Sequence, residues 1–256
     1  MEPILSNSTE RLAVLTGAGV SVASGIRPFR GPGGLWNDED IESWATARAI
    51  ERDPVGCWRA HRGLAKGMGQ AKPNAAHVAL ASLEARIGSE RLTVITQNID
   101  GLHSRAGSSN VVEIHGSFHS LRCTRCSVSG IAAPPADEDH EEPPHCTRCG
   151  APLRYDVVLF GEMLPERATL RAYAALLGCD VFLVVGTSGV VYPAAGFAAE
   201  AKQAGARTIL VNLESDGDTR DTGAFDEVIL GRAEELLPGL LGDRAPFGIA
   251  SSARSE

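Results

Sequence analysis

Two kinds of residue cluster in this sequence could do chemistry. The first is a cysteine quartet, Cys123 with Cys126 and Cys146 with Cys149, two CxxC pairs with nineteen residues between them. Pairs at this separation can close a tetrahedral site of four thiolates around one structural zinc ion. Disulfides are the alternative reading, disfavoured in a reducing compartment, and a redox dithiol would need only one CxxC. Four thiolates leave zinc no open position, so reactive groups must lie elsewhere. The second kind is a set of polar runs that each follow a short apolar segment. Gln97, Asn98, Ile99 and Asp100 follow Leu92–Thr96, supplying amide donors, amide acceptors and a carboxylate within one turn. Capping of the next helix by Asn98 or Asp100 is the plainer alternative. His115, followed by glycine, is a general-base candidate, although a lone histidine is more often structural.

The same pattern recurs along the chain. Gly17-Ala18-Gly19 ends the run Arg11–Thr16, Phe160-Gly161-Glu162 follows Val157–Leu159, and Gly186-Thr187-Ser188 ends Val181–Val185. Asn212 and Glu214 end Thr208–Val211. Small hydroxyl residues at such ends suit phosphate or ribose contacts. A strand, a glycine turn and a helix start bring backbone N–H groups close to a pyrophosphate. The G-x-G-x-x-G fingerprint is not met, because Val22 stands at its third glycine.

The elements that must position these groups alternate. Strands at Arg11–Thr16, Leu92–Thr96, Val111–Ile114, Val181–Val185 and Thr208–Val211 alternate with helices at Ala75–Ala85, Glu166–Leu177 and Pro193–Ala204, and Val20–Ile26 could begin another. This implies an α/β fold, a doubly wound parallel sheet of Rossmann type with ligands at the carboxyl ends of its strands. Two stretches break the rhythm: a charged helical region, Asp38–Met68, and the cysteine region Leu121–Leu153. The segment Ala132–Pro144 reads as too rich in proline and acid to pack, a mobile loop. The division is therefore a nucleotide-binding domain over 1–37, 75–120 and 155–247. A small inserted domain has a helical module over 38–74 and a zinc module over 121–154, and a disordered tail covers 248–256.

Composition bounds the rest. The 256 residues carry a formal net charge of -8, which argues against a broad nucleic-acid surface. Hydrophobic content of 43% is ordinary for a soluble domain. Met1–Glu10 has no signal-peptide pattern and no apolar run is long enough to span a membrane, so a reducing cytoplasm is the expected location. Cys179 reads as a buried core thiol.

With these residues in order, the chain resembles the sirtuins, NAD-dependent protein-lysine deacylases, from about Arg11 to Leu241. The matching pieces are GAGVSVASGI at Gly17–Ile26, PFR at Pro28–Arg30, TQNIDGLH at Thr96–His103 and His115-Gly116. They continue with both CxxC pairs, FGE at Phe160–Glu162, GTSGVVYPAA at Gly186–Ala195 and NLE at Asn212–Glu214.

The resemblance implies that Gly17, Ala18, Gly19, Phe29 and Arg30 line the pyrophosphate and nicotinamide-ribose cleft. Gln97, Asn98, Ile99 and Asp100 would hold ribose and nicotinamide, with Asn98 and Asp100 close to the chemistry. Gly186, Thr187, Ser188, Asn212 and Glu214 would hold the adenosine half. His115 would be the catalytic base. Val158–Glu162, including Phe160 and Gly161, and the facing Gly189, Val190 and Val191 would sandwich an acylated-lysine peptide as an added strand. NAD would be consumed, giving nicotinamide, O-acyl-ADP-ribose and free lysine. Mono-ADP-ribosyl transfer to protein and non-catalytic NAD sensing remain alternatives on the same site.

Two departures bear on this reading. Gly25-Ile26-Arg27-Pro28-Phe29-Arg30 displaces the proline by one position and adds a cation, where an exposed Arg27 without a role is the simpler account. Desuccinylating sirtuins carry a Tyr-x-x-Arg pair at the positions that His61 and Leu64 occupy here. No tyrosine precedes Tyr155. A succinyl carboxylate beside Leu64 would lack a partner, which favours neutral acyl groups. Arg62 could still reach an acidic chain, and Ala45 leaves room for acyl groups longer than acetyl.

Overall fold

The computed structural model describes residues 4–5, 9–29, 33–34, 43–135, 138, 140–187, 192–214 and 223–242. Its centre is a six-stranded sheet of β1 (Leu12–Thr16), β2 (Leu92–Thr96), β3 (Val111–Glu113), β7 (Val181–Val185), β8 (Arg207–Asn212) and β9 (Glu227–Leu230). The order is β3-β2-β1-β7-β8-β9 and every pairing is parallel. The chain winds outward from β1 to β3, then returns to β7 on the other side of β1. The order therefore reverses between β1 and β7, where ligand crevices form in such sheets.

The alternation of side chains along each strand builds two cores. Leu12 and Val14 of β1 face one core with Val94, Leu183 and Ile209. This core is covered by α3 (Ala75–Ile87), through Leu80 and Leu83, and by α7 (Ala233–Leu240), through Leu237. Ala13 and Leu15 face the other core with Ile95, Phe182 and Leu210. Its cover is α5 (Glu166–Leu177), through Leu176, and α6 (Phe197–Gln203), through Phe197. Each fully buried leucine here contributes roughly 1.5–3 kcal/mol of burial. This is the doubly wound sheet that the alternating segments predict.

A second, three-stranded sheet has the order β5-β4-β6, from β4 (Gly116–Cys123), β5 (Ile131–Ala132) and β6 (Leu153–Val157), all antiparallel. It packs against α2 (Pro54–Gly69) through a third core that includes Trp58, Ala65, Phe118, Leu121, Tyr155 and Val157. Asp53 caps α2 by accepting the Gly56 N–H at 2.8 Å, with Pro54 at the first helical position. A short helix, α1 (Ala47–Arg52), precedes it, capped by Thr46. The helical region thus lies on the cysteine-bearing strands.

Several expectations are adjusted. The segment after Gly17 is a 3-10 helix, Ala18–Ser24, and the stretch expected as one helix over Pro193–Ala204 splits into a 3-10 turn and α6. Of the apolar run Val157–Leu159 only Val157 lies in a strand, because β4 begins at Gly116 opposite that residue. Strands β4 and β9 and helix α7 were not anticipated; α7 carries Pro238 inside it. The largest difference is at Ala132–Pro144. Trp58 Nε1 donates to the His140 carbonyl at 2.8 Å and Arg59 Nε to the Glu141 carbonyl at 3.1 Å. Arg62 Nη2 donates to the carbonyls of Pro135 (2.7 Å) and Glu138. Polar composition did not prevent packing, because α2 offers donors to the loop's backbone carbonyls, with one ion pair, Arg59 to Glu141, added at the surface. Residues 248–256, expected as a disordered tail, lie outside the described residues. Among the described residues no helix is long and apolar enough to cross a membrane.

Candidate functional site

Paired registers bring the strand ends level: Thr16 lies opposite Thr96 on one side and Val185 on the other. Thr16 Oγ1 donates to Thr96 Oγ1 and meets His103 Nε2, each at 2.9 Å. The chain then turns at Gly17, whose N–H bonds the Val185 carbonyl at 3.0 Å. Gly19 N–H bonds the Gly186 carbonyl at 2.8 Å, so the two loops touch backbone to backbone. A Cβ on Gly19 would stand 2.8 Å from Gly186 Cα, and Gly186 has φ +59°, so both positions need glycine.

Above this contact lies a buried polar network. Asn98 Nδ2 donates to the Gly17 carbonyl (3.0 Å) and to Ser21 Oγ (3.1 Å), and Ser21 Oγ donates to Asp100 Oδ2 at 2.7 Å. Asp100 Oδ1 accepts the Leu102 N–H at 2.9 Å, at the start of α4 (Leu102–Ala106). The cap position of this helix is held by Gly101, so Asp100 does not cap it; it braces the turn from one residue earlier, which is compatible with a place in the site. Gln97 Nε2 donates to Thr187 Oγ1 at 3.0 Å, and Asn212 Nδ2 to the Thr187 carbonyl at 3.2 Å. Two buried histidines underlie the network, with rings 4.7 Å apart. Burial pushes His77 down to about 4 and His103 to about 3, leaving both neutral.

His115 follows β3 and is half-buried. Its Nδ1 lies 3.0 Å from the Gln97 carbonyl, which can only accept, so Nδ1 carries the proton and Nε2 keeps a lone pair. Burial lowers the pKa of the imidazole, opposed by the Gln97 bond. Next to it, burial pushes Glu113 up to about 7, Ser117 opposing and Asp100 adding repulsion. Gly116 has φ +77°, and a Cβ there would strike the Asp156 carbonyl, so His115 is followed by a turn only glycine can make.

The opposite wall is the extended segment after β6. Val158 N–H bonds the His115 carbonyl at 2.9 Å, tying this segment to the candidate base. Phe160 N–H bonds the Ala45 carbonyl (2.8 Å), and the Phe160 carbonyl accepts from Ala47 (3.0 Å), so a bridge to the helical region occupies both groups. Phe160 stacks on Phe29, with centroids 6.2 Å apart. Glu162 pairs with Arg154 Nη2 at 2.5 Å and accepts the Leu159 N–H at 3.0 Å, bracing the turn that carries Gly161.

Of the residues expected to face the acyl group, His61 is 5% exposed and its ring faces Phe118 at 6.2 Å. Burial, then Arg154, pushes it down to about 4. Leu64 packs half-buried against the same core. Arg62 Nη1 bonds Tyr155 Oη at 3.1 Å, and its other nitrogen holds the loop carbonyls already described. Arg27 Nε and Nη2 donate to the Gly33 and Gly34 carbonyls at 2.9 and 3.2 Å, so this cation closes its own loop rather than standing without a role.

The four cysteine sulfurs lie within 4.8 Å of one another, with Cys123 to Cys149 at 3.5 Å and Cys126 to Cys146 at 3.7 Å. A zinc tetrahedron with Zn–S near 2.3 Å has S–S edges of about 3.8 Å, so the set fits zinc. The N–H groups of Arg125 and Cys126 point at Cys123 Sγ, at 3.3 and 3.4 Å, an arrangement that favours thiolate. All four are free of disulfides, and Cys179, expected as a buried core thiol, is half-buried against the core that holds Phe182.

The network thus gathers Gly17, Gly19, Gln97, Asn98, Asp100, His115, Gly186, Thr187 and Asn212 at one sheet edge. Glu214 is exposed beside it. Arg30, Ser188, Gly189, Val190 and Val191 lie outside the described residues. Reading the sequence missed Ser21 and the buried threonine–histidine layer; a serine placed between Val20 and Val22 was the available signal.

The model of the Sir2 family matches residues 17–193. The chain is 47% identical over 234 residues to NAD-dependent protein deacylase 2 of Pyrobaculum aerophilum, covering 91% of each chain. A crystal structure of a Sir2 homologue–NAD complex superposes with TM-score 0.79 at 37% identity, covering 95% of each chain. A Sir2 complex with p53 peptide and NAD+ superposes with TM-score 0.72 at 33% identity, covering 91% of this chain and 92% of that one.

Proposed function

The chain belongs to the Sir2 family, and on that premise we propose that it is an NAD-dependent protein-lysine deacylase for neutral acyl groups. The observation that carries this reading is the pairing of a neutral His115, with its Nε2 lone pair available, to a glycine-walled polar cleft at the sheet's switch point. Gly17, Ala18, Gly19, Gly186, Thr187 and Asn212 hold the phosphate and adenosine half of NAD. Asn98, Ser21 and Asp100 orient the ribose and carboxamide. NAD supplies an activated nicotinamide–ribose bond, and the cleft aligns the acyl oxygen with the anomeric carbon. His115 then accepts a proton from a ribose hydroxyl. The Val158 carbonyl and Gly161 offer backbone to an extended peptide, while the Val158 N–H is held by His115 and Phe160 is committed to its bridge with Ala45 and Ala47. A complex with a peptide in a related structure supports a polypeptide substrate.

Neutral acyl groups are favoured because both nearby cations are engaged: Arg62 with Tyr155 and loop carbonyls, Arg59 with Glu141. The core that joins α2 to β4 and β6 supports treating 38–74 and 121–154 as one small domain, braced by zinc. Free cysteines suit a reducing cytoplasm.

The test is incubation with NAD and a panel of acetyl-, longer-acyl- and succinyl-lysine peptides, following nicotinamide and O-acyl-ADP-ribose. Release that depends on a neutral acyl peptide is expected. Label transfer to protein without deacylation would replace this reading with ADP-ribosyl transfer, and binding without turnover would replace it with a sensor.

A further inference from the structure

The turn that joins β2 to α4 carries Gln97, Asn98 and Asp100, and it is closed by a side chain that the proposed reaction leaves without a role. His103, at the start of α4, places Nε2 2.9 Å from Thr16 Oγ1, and Thr16 Oγ1 donates to Thr96 Oγ1 at 2.9 Å. Thr96 Oγ1 also accepts the Asn98 N–H at 3.1 Å, while Asp100 Oδ1 accepts the Leu102 N–H at 2.9 Å. The six residues between Thr96 and His103 are thus pinned at both ends, with a hydroxyl of β1 as the clasp. Thr16, Thr96 and His103 are all buried. The Thr16 hydroxyl has one proton and gives it to Thr96, so Thr16 accepts from His103, and Nε2 carries the imidazole's proton. Burial pushes the ring's pKa down to about 3, so it stays neutral and Nδ1 is bare. That nitrogen is buried with no partner among the described residues, which costs stability that a leucine of similar bulk would not. What the imidazole adds over an apolar side chain is therefore its bond to Thr16.

We propose that His103 is a positioning residue, acting through the hydroxyls of Thr16 and Thr96 to hold the 97–100 turn in the geometry that receives the nicotinamide half of NAD. This rests on the assignment of Asn98 and Asp100 to that half under the proposed function. The closed turn also supplies the Gln97 carbonyl that His115 Nδ1 meets at 3.0 Å, so one clasp serves both cofactor and base. The adenosine half is assigned to other loops, at Gly186, Thr187 and Asn212. Loss of the clasp therefore falls on NAD more than on ADP-ribose, which lacks nicotinamide.

Thr16→Val keeps the shape of the side chain and removes its hydroxyl. In the full-length protein, followed by calorimetry, it should weaken NAD roughly tenfold and ADP-ribose by less than about twofold. Thr16→Ser, which restores the hydroxyl, should recover NAD affinity. His103→Leu should match Thr16→Val, and the double variant should bind NAD no worse than either alone, because both break the same chain. Nitrogen-15 spectra of the wild-type protein should show His103 protonated at Nε2 between about pH 5 and 8, a reading that does not depend on any variant folding. The opposite tautomer would overturn the proposal. So would equal losses for NAD and ADP-ribose, additive losses in the double variant, or a serine variant no better than valine. Wild-type protein that binds neither ligand would overturn the NAD assignment and this inference with it, whereas wild-type binding of both with an unchanged ratio in Thr16→Val sinks this inference alone.

Discussion

The sheet edge and the small antiparallel sheet solve the same problem with different materials. At the edge, short side chains (Thr16, Ser21, Thr96, Asn98, Asp100) bond to one another and to backbone within a few ångströms of the strands that carry them. In the small domain, long side chains reach across to backbone carbonyls tens of residues away, as Trp58, Arg59 and Arg62 do to residues 135–141. Four sulfurs close the far end. Short groups near their own backbone lose little rotamer entropy when ordered; long ones lose more and need a cross-link to hold them. On the proposed function, the chemistry sits on the first kind of scaffold and substrate selection on the second.

The sharpest break in this comparison is at the base. His115→Ala should lower deacylation about 10²–10⁴-fold with an unchanged melting temperature, measured by product release beside a thermal melt. Retained turnover would remove His115 from the mechanism. Zinc removal comes next. Chelation with verified metal loss should abolish peptide turnover and raise hydrogen exchange across β4–β6, while NAD still binds the parallel sheet. Unchanged turnover and exchange after metal loss would show that the small domain needs no cross-link.

Acid should act on both regions, with a definite sign. The pKa of His115 is lowered, so its base form persists at neutral pH, and deacylation should fall only as pH drops through a value below 6.5. His61, His77 and His103 are also lowered, to about 4, 4 and 3. Unfolded histidines bind protons below about 6.5 while these do not, so the stability present above that pH is lost progressively toward pH 3–4. A melting temperature flat from pH 7 to 4 would contradict their burial.

Two smaller effects separate the regions. Arg62→Gln should cost about 2 kcal/mol and speed exchange at residues 133–135 without creating succinyl turnover; a gain of succinyl turnover would show that Arg62 does not control loop and pocket in the way described. Gln97→Ala should raise the KM for NAD by no more than about fivefold, through the lost Thr187 bond, and leave the acid midpoint of turnover in place. A shifted midpoint would mean that the Gln97 side chain tunes the base.

Legibility in the sequence followed the same divide. Short buried strands such as VFLVV, and polar residues immediately after them, declare their place through local pattern, so the parallel sheet and the residues at its edge could be read directly. CxxC spacing did the same for the cysteines. Arg62 and Ala132–Pro144 could not be read, because the direction of a long side chain depends on what tertiary packing brings near it. A proline-rich acidic segment looks unpackable until a helix offers donors to its carbonyls. Ser21 escaped because burial gives a hydroxyl a role that composition does not show.

The proposed base, His115, has as its partner the carbonyl of Gln97, a group every residue type possesses. Substitution can change what position 97 projects, but not the acceptor that fixes the imidazole's tautomer. Drift at that position therefore leaves the proton inventory of His115 intact. An evolving lineage can retune cofactor affinity through the amide of residue 97 while the acid–base step is inherited unchanged, which makes the reaction harder to lose than the specificity around it.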